Sequence, residues 1–397
     1  YGNTLYLSLG RIMFELQAQK DTALSRDQLL LDRIKLSLVP GLGPTLRHRL
    51  ISEFGSVSRI FEQSVSSLQS VHGVGNHLAS AIFNSRTSTK PSHILDECKQ
   101  HGINILLDTD PEFPELLSHI PDPPDMLFIR GTFEPCDRVA IAVVGARHAT
   151  TAGKRIAKTF ANGLARAGLT IVSGLARGID AAAHHEAIRA GGRTIAVLGS
   201  GLRNIYPREH AHFVEDMIQH GCVLSEVPPS TPPQAAAFPR RNRIVSGLCV
   251  GTLVIQASER SGALITARLA GEQGRDVFAI PGSIECRMSA GCHSLIRDGV
   301  TLVTSVDQIL DELGPLYKKA ICTSRPEIHH LAERKLNKVE QNVLAAIDAT
   351  SNQNKSTTID AVVEYSNLEP SRVLAACSAL EIYRITVRSP GNIIERR

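Results

Sequence analysis

A chain of 397 residues with a 43% hydrophobic and 21% charged composition is long enough for two or three domains and ordinary for a soluble globular protein. No apolar run approaches the roughly 20 residues needed to cross a bilayer, and the eight cysteines are scattered without a Cys-x-x-Cys pair. A membrane span and a zinc framework are therefore excluded, and reduced thiols in a cytoplasmic compartment are expected.

The net charge is only +4, yet its distribution is uneven: Ile141 to Val300 carries 18 Lys and Arg against 11 Asp and Glu, 16 of the 18 being arginine. No acidic residue falls between Ile141 and Ile179 or between Val227 and Ser258. A positive field gathered in this way attracts polyphosphate or nucleic acid.

Residues 1–33 read as an N-terminal extension without legible chemistry; Tyr1 to Gln19 lacks a basic front and a cleavage site, so no signal peptide is expected, and Met13 is a candidate start. A helical domain is expected over 34–90. It holds two turns, Pro40-Gly41-Leu42-Gly43 and Val71-His72-Gly73-Val74-Gly75, each before an apolar helical pattern. Such helix-hairpin-helix turns expose backbone N–H groups that hold a DNA phosphate; the alternative is that they only pack helices, since few basic residues (Arg47, Arg49, with His48 and His77) flank them. Ile103–Leu107 and Met126–Gly131 read as strands added to the edge of a main sheet, within a domain spanning 91–313.

That domain is patterned by one recurring event, an apolar run closing on a glycine turn before a helix. It occurs at Ile141–Gly145, Ile171–Gly174, Ile195–Gly199, Leu253–Gly262 and Val277–Gly282. This is the signature of a parallel sheet with helices on both faces, which binds ligands beyond the carboxyl ends of its strands. A dinucleotide site is disfavoured, because Arg147 stands where Gly-x-Gly needs its second glycine and no acidic residue closes the strand at Ser173-Gly174. Gly145, its turn amides and Arg147 make a phosphate cradle instead, or Arg147 is a structural brace; Thr150 or Thr151 caps the following helix, which carries Lys154.

Arg177 projects from Gly174-Leu175-Ala176-Arg177-Gly178, and Asp180 reads as a helix N-cap in preference to a general base. Of His184 and His185, one must face the sheet as a core residue. Phe238-Pro239-Arg240-Arg241-Asn242-Arg243 closes a proline-rich exposed loop and offers cations and a stacking ring, which suits single-stranded nucleic acid; Arg243 has the alternative of a buried brace. Ser261-Gly262 opens a serine-capped helix, a further anion site. No Walker A sequence, nucleophile elbow, paired-carboxylate motif or metal-ligand spacing is present, so no catalytic residue, metal or cofactor is expected.

A linker is expected over 314–335. Beyond it, 336–397 reads as three helices and a β-hairpin, a winged helix that meets double-stranded DNA or a protein.

Gly145-Ala146-Arg147, Ser173-Gly174-Leu175-Ala176-Arg177-Gly178-Ile179-Asp180, Tyr206-Pro207, Phe238-Pro239-Arg240-Arg241-Asn242-Arg243 and Ser261-Gly262-Ala263-Leu264-Ile265-Thr266, in this order, resemble the DprA/Smf family of bacterial DNA-processing proteins. The resemblance implies an α/β fold: an extended Rossmann-like parallel sheet without dinucleotide, an N-terminal helical (SAM-like or helix-hairpin-helix) domain and a C-terminal winged helix. It implies a homodimer that binds single-stranded DNA, protects it during natural transformation and loads the recombinase RecA onto it. With the motif reading it gives the candidate DNA-binding set Gly145, Arg147, Lys154, Ser173, Gly174, Arg177, Gly178, Phe238, Arg240, Arg241, Asn242, Arg243, Ser261 and Gly262.

The sequence departs from the family pattern at Gln256, where a glutamate is frequent, at Gly299-Val300, and at Tyr383-Arg384, where the hairpin lacks its usual glycine. A nucleotide-binding protein or a phosphoribohydrolase on a related sheet is the alternative, although Pro281-Gly282-Ser283 does not continue as the Pro-Gly-Gly-x-Gly-Thr run such hydrolases use.

Overall fold

The computed structural model describes residues 26–314, 338–351, 357–382, 386–389 and 393–396, and the chain divides into two compact units, residues 1–326 and 327–397. The extension over residues 1–25, nearly all of the expected linker, Cys322 and the Tyr383-Arg384 departure lie outside the described residues.

The first unit is built on a nine-stranded sheet. Its strands are β1 (Asn104–Leu107), β2 (Met126–Gly131), β3 (Ala140–Val144), β4 (Thr170–Ser173), β5 (Thr194–Leu198), β6 (Gly221–Ser225), β7 (Gly251–Val254), β8 (Asp276–Ala279) and β9 (Thr301–Leu302). They lie in the order β1-β2-β6-β5-β4-β3-β7-β8-β9. From β6 to β9 all pairings are parallel, and β1 and β2 extend the sheet antiparallel at one edge. Strands β3 to β7 are buried at every position, as a parallel sheet covered on both faces requires.

Successive residues of β3 serve opposite faces. Ala140, Ala142 and Val144 pack with Ile244, Val245, Ala263 and Ala267, while Ile141 and Val143 pack with Phe160, Leu164, Ala183 and Ala187. Helices Ala237–Gly247 and Gly262–Glu272 thus cover one face, and Thr151–Arg166 and Ile179–Arg189 the other.

The helical segment has its own core of Leu36, Leu50, Ile60, Leu68 and Ile82. It belongs to the same compact unit as the sheet. The boundary expected at residue 33 falls inside helix Arg26–Ser37. That helix serves both sides: Leu30 and Ile34 pack on the β1–β2–β6 edge, and Leu36 on the helical core.

One correction bears directly on function. Phe238 to Arg243 is not a loop but the first half of helix Ala237–Gly247. Pro239 is tolerated there because the first-turn N–H groups of a helix have no intrahelical partner.

The second unit has helices Lys338–Ser351, Ile359–Ser366 and Pro370–Ile382 and an antiparallel pair, β10 (Thr386–Ser389) and β11 (Ile393–Arg396). Thr358 caps the second helix, and Val343, Ile347, Val362, Val373, Cys377, Leu380 and Ile394 form the core. Among the described residues of the chain, no helix is long and apolar enough to cross a membrane, and no group of three or more His, Cys, Asp or Glu is placed to hold a metal ion.

Candidate nucleic-acid interface

The strand order reverses beside β3. Strands β4, β5 and β6 are added on one side of it, and the chain then crosses to β7, β8 and β9 on the other. Loops leaving β3 and β7 therefore diverge at their carboxyl ends, where open α/β sheets bind ligands. A cleft of ≈ 710 Å³ lies here, lined by Gly145 to His148 after β3, Gly174 and Ala176 after β4, Tyr206, Phe238, Arg241 and Asn242, and Ser258 and Arg260 to Gly262 after β7.

The turns around it are fixed by side chains. Thr150 caps helix Thr151–Arg166, accepting from the Gly153 N–H at 3.0 Å. Gln256 accepts from the Thr150 N–H at 3.0 Å and donates to its Oγ1 at 2.9 Å, so the residue that departs from the family pattern is a buried, uncharged tie of the first loop. Ser261 caps helix Gly262–Glu272 through the Ala263 N–H at 3.3 Å.

Asp180 does not cap its own helix. Its Oδ2 accepts from the N–H groups of Gly174 and Ala176 at 3.1 and 3.3 Å and so ties the preceding loop, while Gly178 stands at the N-cap without a side-chain bond. Gly178 has φ +82°, and a Cβ there would lie 2.3 Å from the Ala146 carbonyl oxygen. A Cβ on Gly174 would lie 2.5 Å from an Arg241 nitrogen. These two glycines admit neighbouring protein atoms rather than a ligand.

The arginines sort into open and committed ones. Arg147 is exposed, its guanidinium carbon 5.4 Å from the centre of the Phe238 ring, and no carboxylate among the described residues pairs with it, which removes the brace alternative. Arg260 is likewise exposed at the cleft and without a described carboxylate partner; the motif reading passed over it, although it immediately precedes the Ser261 cap.

Arg241 is a floor residue, 7% exposed, whose Nη1 donates to the Gly174 carbonyl at 2.8 Å and to that of Val197. Burial pushes its pKa down to about 10 against the pull of Asp180, which leaves it charged at neutral pH. Burial pushes the Asp180 carboxyl up, opposed by Arg241 and by the two amides it accepts from. Beneath them His184 is fully buried and donates from Nδ1 to Thr194, whose own hydroxyl proton goes to the Ile171 carbonyl. Burial holds its pKa down at about 3, so it is a neutral core histidine.

Three of the expected residues stand apart from the cleft. Ser173 is wholly buried and donates to the Val143 carbonyl at 2.6 Å. Arg243 is 6% exposed and donates to Glu226 at 2.7 Å and Asp122 at 3.1 Å, the buried-brace alternative. Arg240, on the same helix face, is half-exposed 3.5 Å from Glu226.

A second groove of ≈ 610 Å³ adjoins through Arg147 and His148 and is lined by Lys154, Arg177, Gly178 and His210. There Arg177 is held by Glu209 at 2.5 Å, both half-exposed. Tyr206, also passed over by the motif reading as a contact residue, stands 37% exposed with its ring 5.5 Å from that of Phe238. The cleft thus unites Gly145, Arg147, Gly174, Phe238, Arg241, Asn242, Ser261 and Gly262, and the adjoining groove takes Lys154, Arg177 and Gly178.

The chain is similar to known proteins. The family model described as DNA recombination-mediator protein A matches residues 104–314. Over 391 residues the chain is 33% identical to protein Smf of Synechocystis, covering 91% of this chain and 97% of that protein. The chain belongs to the DprA/Smf family. The DNA processing protein DprA of Bacillus subtilis is 42% identical over 225 residues, 56% of this chain and 76% of that protein. The crystal structure of DprA from Streptococcus pneumoniae superposes with a TM-score of 0.63 at 34% identity, covering 73% of this chain and 98% of that one.

Proposed function

We propose that the cleft at the β3–β7 switch point holds single-stranded DNA, with phosphates on Arg147 and Arg260 and an unpaired base on the Tyr206–Phe238 rings. The observation that carries this reading is the pairing of open cations with adjacent partly exposed rings in one cleft. A single strand needs both, because its phosphates require cations and its splayed bases a stacking face. The groove at Lys154 and Arg177 extends the path, and relatives named DNA processing protein accord with a DNA substrate.

On the same family basis the protein protects incoming DNA in natural transformation, acts as a cytoplasmic homodimer and loads RecA. The second unit, with three helices and a hairpin, serves as a winged-helix module for double-stranded DNA or a protein. The glycine turns at Gly43 and Gly75, each an N-cap without a side-chain bond, are of the helix-hairpin-helix kind. A phosphoribohydrolase reading lacks support, because no paired carboxylates face the cleft: Asp180 is the one carboxylate among the described residues that lines it.

Competition among a labelled single-stranded oligonucleotide, a duplex of the same sequence and free nucleotides tests the reading. Displacement by single strands but not by nucleotides at equal phosphate concentration is expected; preferential displacement by mononucleotides overturns it. In the same assay the Arg147→Ala, Arg241→Ala double variant must lose affinity and salt dependence.

A further inference from the structure

Helix Ala237–Gly247 has two polar faces with different duties. Phe238, Arg241 and Asn242, spaced i, i+3 and i+4, line the cleft. Arg240 and Arg243, also three apart, turn away from it onto Glu226.

Glu226 is 9% exposed at its side chain and takes three arginines: Arg243 at 2.7 Å, Arg240 at 3.5 Å and Arg47 at 3.9 Å. Arg47 belongs to the helical segment, where it is 5% exposed and reaches Asp125 at 2.5 Å and the Leu42 carbonyl at 3.1 Å. A second bridge runs alongside. Thr45 donates to Asp122 at 2.9 Å, and Asp122 accepts from Arg243 at 3.1 Å. The helical segment is therefore joined to the back of the cleft helix by one buried path, Arg47 to Glu226 and Arg243, where a missing partner is costly, and by a more exposed one through Thr45 and Asp122.

We infer that Glu226 is a positioning residue for the DNA cleft, and that through Arg47 and Thr45 the helical segment sets the placement of Phe238 and Arg241. The network accounts for a helical segment whose best-placed cation, Arg47, faces inward. It also accounts for the two helical arginines that the cleft does not use. Any movement of the segment reaches the cleft through Arg47 and Thr45, because both end on carboxylates that also hold the cleft helix. Helix Gly262–Glu272 packs beside the cleft helix, its Gly262 carbonyl accepting from Asn242 at 3.3 Å and its C-cap Gln273 donating to the Arg243 carbonyl at 3.0 Å, whereas helix Thr151–Arg166, on the opposite face of the sheet, has no residue in the network.

This inference rests on the reading that the cleft takes single-stranded DNA, but one arm of its test needs no DNA. In the full chain, Arg47→Lys keeps a cation for Asp125 but loses the planar fork that also reaches Leu42 and Glu226. Hydrogen exchange of the amides over 237–247 is expected to lose protection in this variant, with 151–166, on the opposite face of the sheet, unchanged. Unchanged protection over 237–247, or a loss shared equally by 151–166, overturns the inference.

The second arm is Glu226→Gln with a single-stranded oligonucleotide. Affinity is expected to fall at least about fivefold with the salt slope unchanged, since every phosphate-binding cation is still in place. If Glu226 merely repelled DNA, affinity and slope would both rise as Arg240 is released; that result, or an unchanged affinity in a protein with a normal thermal transition, overturns the inference. Loss of exchange protection together with a wild type that binds no single strand sinks the proposed function and leaves the coupling intact.

Discussion

Two regions of this molecule offer the same local device, a glycine turn before a helix with arginines beside it, and put it to different use. At the β3–β7 cleft Arg147 and Arg260 are exposed and lack described carboxylate partners. At the turns of the helical segment Arg47 is buried against Asp125, and Arg49 donates to the His72 carbonyl at 2.5 Å. The turns are alike; the carboxylates are not. Asp122, Asp125 and Glu226 come from the chain around β2 and β6, at the back of the cleft helix, and neutralise whatever arginine reaches them. A glycine turn with an arginine is thus a site only where no buried carboxylate claims the cation.

The largest effect expected from this contrast is on stability. Arg47→Ala leaves Asp125, only 1% exposed, with Arg33 at 3.9 Å as its remaining arginine partner, and should cost about 3 kcal/mol, the lower end for breaking one side of a buried pair. Arg147→Ala, at an exposed position without a partner, should stay within about 0.5 kcal/mol. Urea denaturation of the two variants at equal m decides the matter, and equal midpoints would erase the distinction between committed and open arginines. The effects on DNA should be inverted. Arg147→Ala is expected to weaken single-strand binding by about 1.5–3 kcal/mol, the worth of a hydrogen bond to a charged group. The slope of log affinity against log salt should fall by about 0.7 for each phosphate that the variant no longer neutralises. A salt series with an unaltered slope would show that Arg147 meets no phosphate.

How much of this was legible in the sequence follows from the range of the interactions. The parallel strands were legible because each is an apolar run ended by a glycine turn, a pattern contained within about ten residues. So was the sheet edge on which the cleft lies, since ligands of such sheets bind beyond the carboxyl ends of the strands; the strand order that puts the cleft beside β3 was not. Helix Ala237–Gly247 was not legible at its start. Proline at Pro239 and three arginines hide the apolar period, which shows only at Ile244, Val245 and Leu248. Nor was the fate of each arginine. Arg47 and Asp125 are 78 residues apart, and Arg243 and Asp122 are 121 apart, so their pairing is a product of the fold. Asp180 was misjudged for a local reason: a carboxylate in the first turn can accept amides from the loop before it as readily as from its own helix. Arg260 had a usable signal, a cation beside a serine cap at a strand end, that the motif reading did not weigh.

The buried layer under the cleft gives a smaller effect that depends on pH. His184 has a folded-state pKa of about 3 against an ordinary value of 6.5, because burial excludes the charged ring and His185, His210 and Arg241 push the same way. The unfolded chain therefore binds a proton that the folded protein refuses. The contribution is present in full above pH 6.5 and is lost as the pH falls toward 3, at about 1.4 kcal/mol per pH unit. His184→Gln should flatten the fall of stability between pH 6.5 and 5 by about that slope. Parallel pH profiles for variant and wild type would mean that the ring is protonated in the folded protein and is not the neutral core residue described above.

The smallest effect is the one that tests the contrast most directly. Arg49 lies at a glycine turn of the kind that holds phosphate elsewhere, but its guanidinium is held to the His72 carbonyl at 2.5 Å and lies 3.2 Å from that ring's Nδ1. Arg49→Ala should leave single-strand affinity and its salt slope unchanged, because its guanidinium is committed to the His72 carbonyl and is not presented to a phosphate. Its effect should appear in stability, as the loss of one exposed hydrogen bond worth about 1 kcal/mol or less. Should Arg49→Ala instead lower the salt slope as Arg147→Ala does, the helical turns would be a second DNA-binding surface. The partners seen in the structure would then not be what separates the two regions.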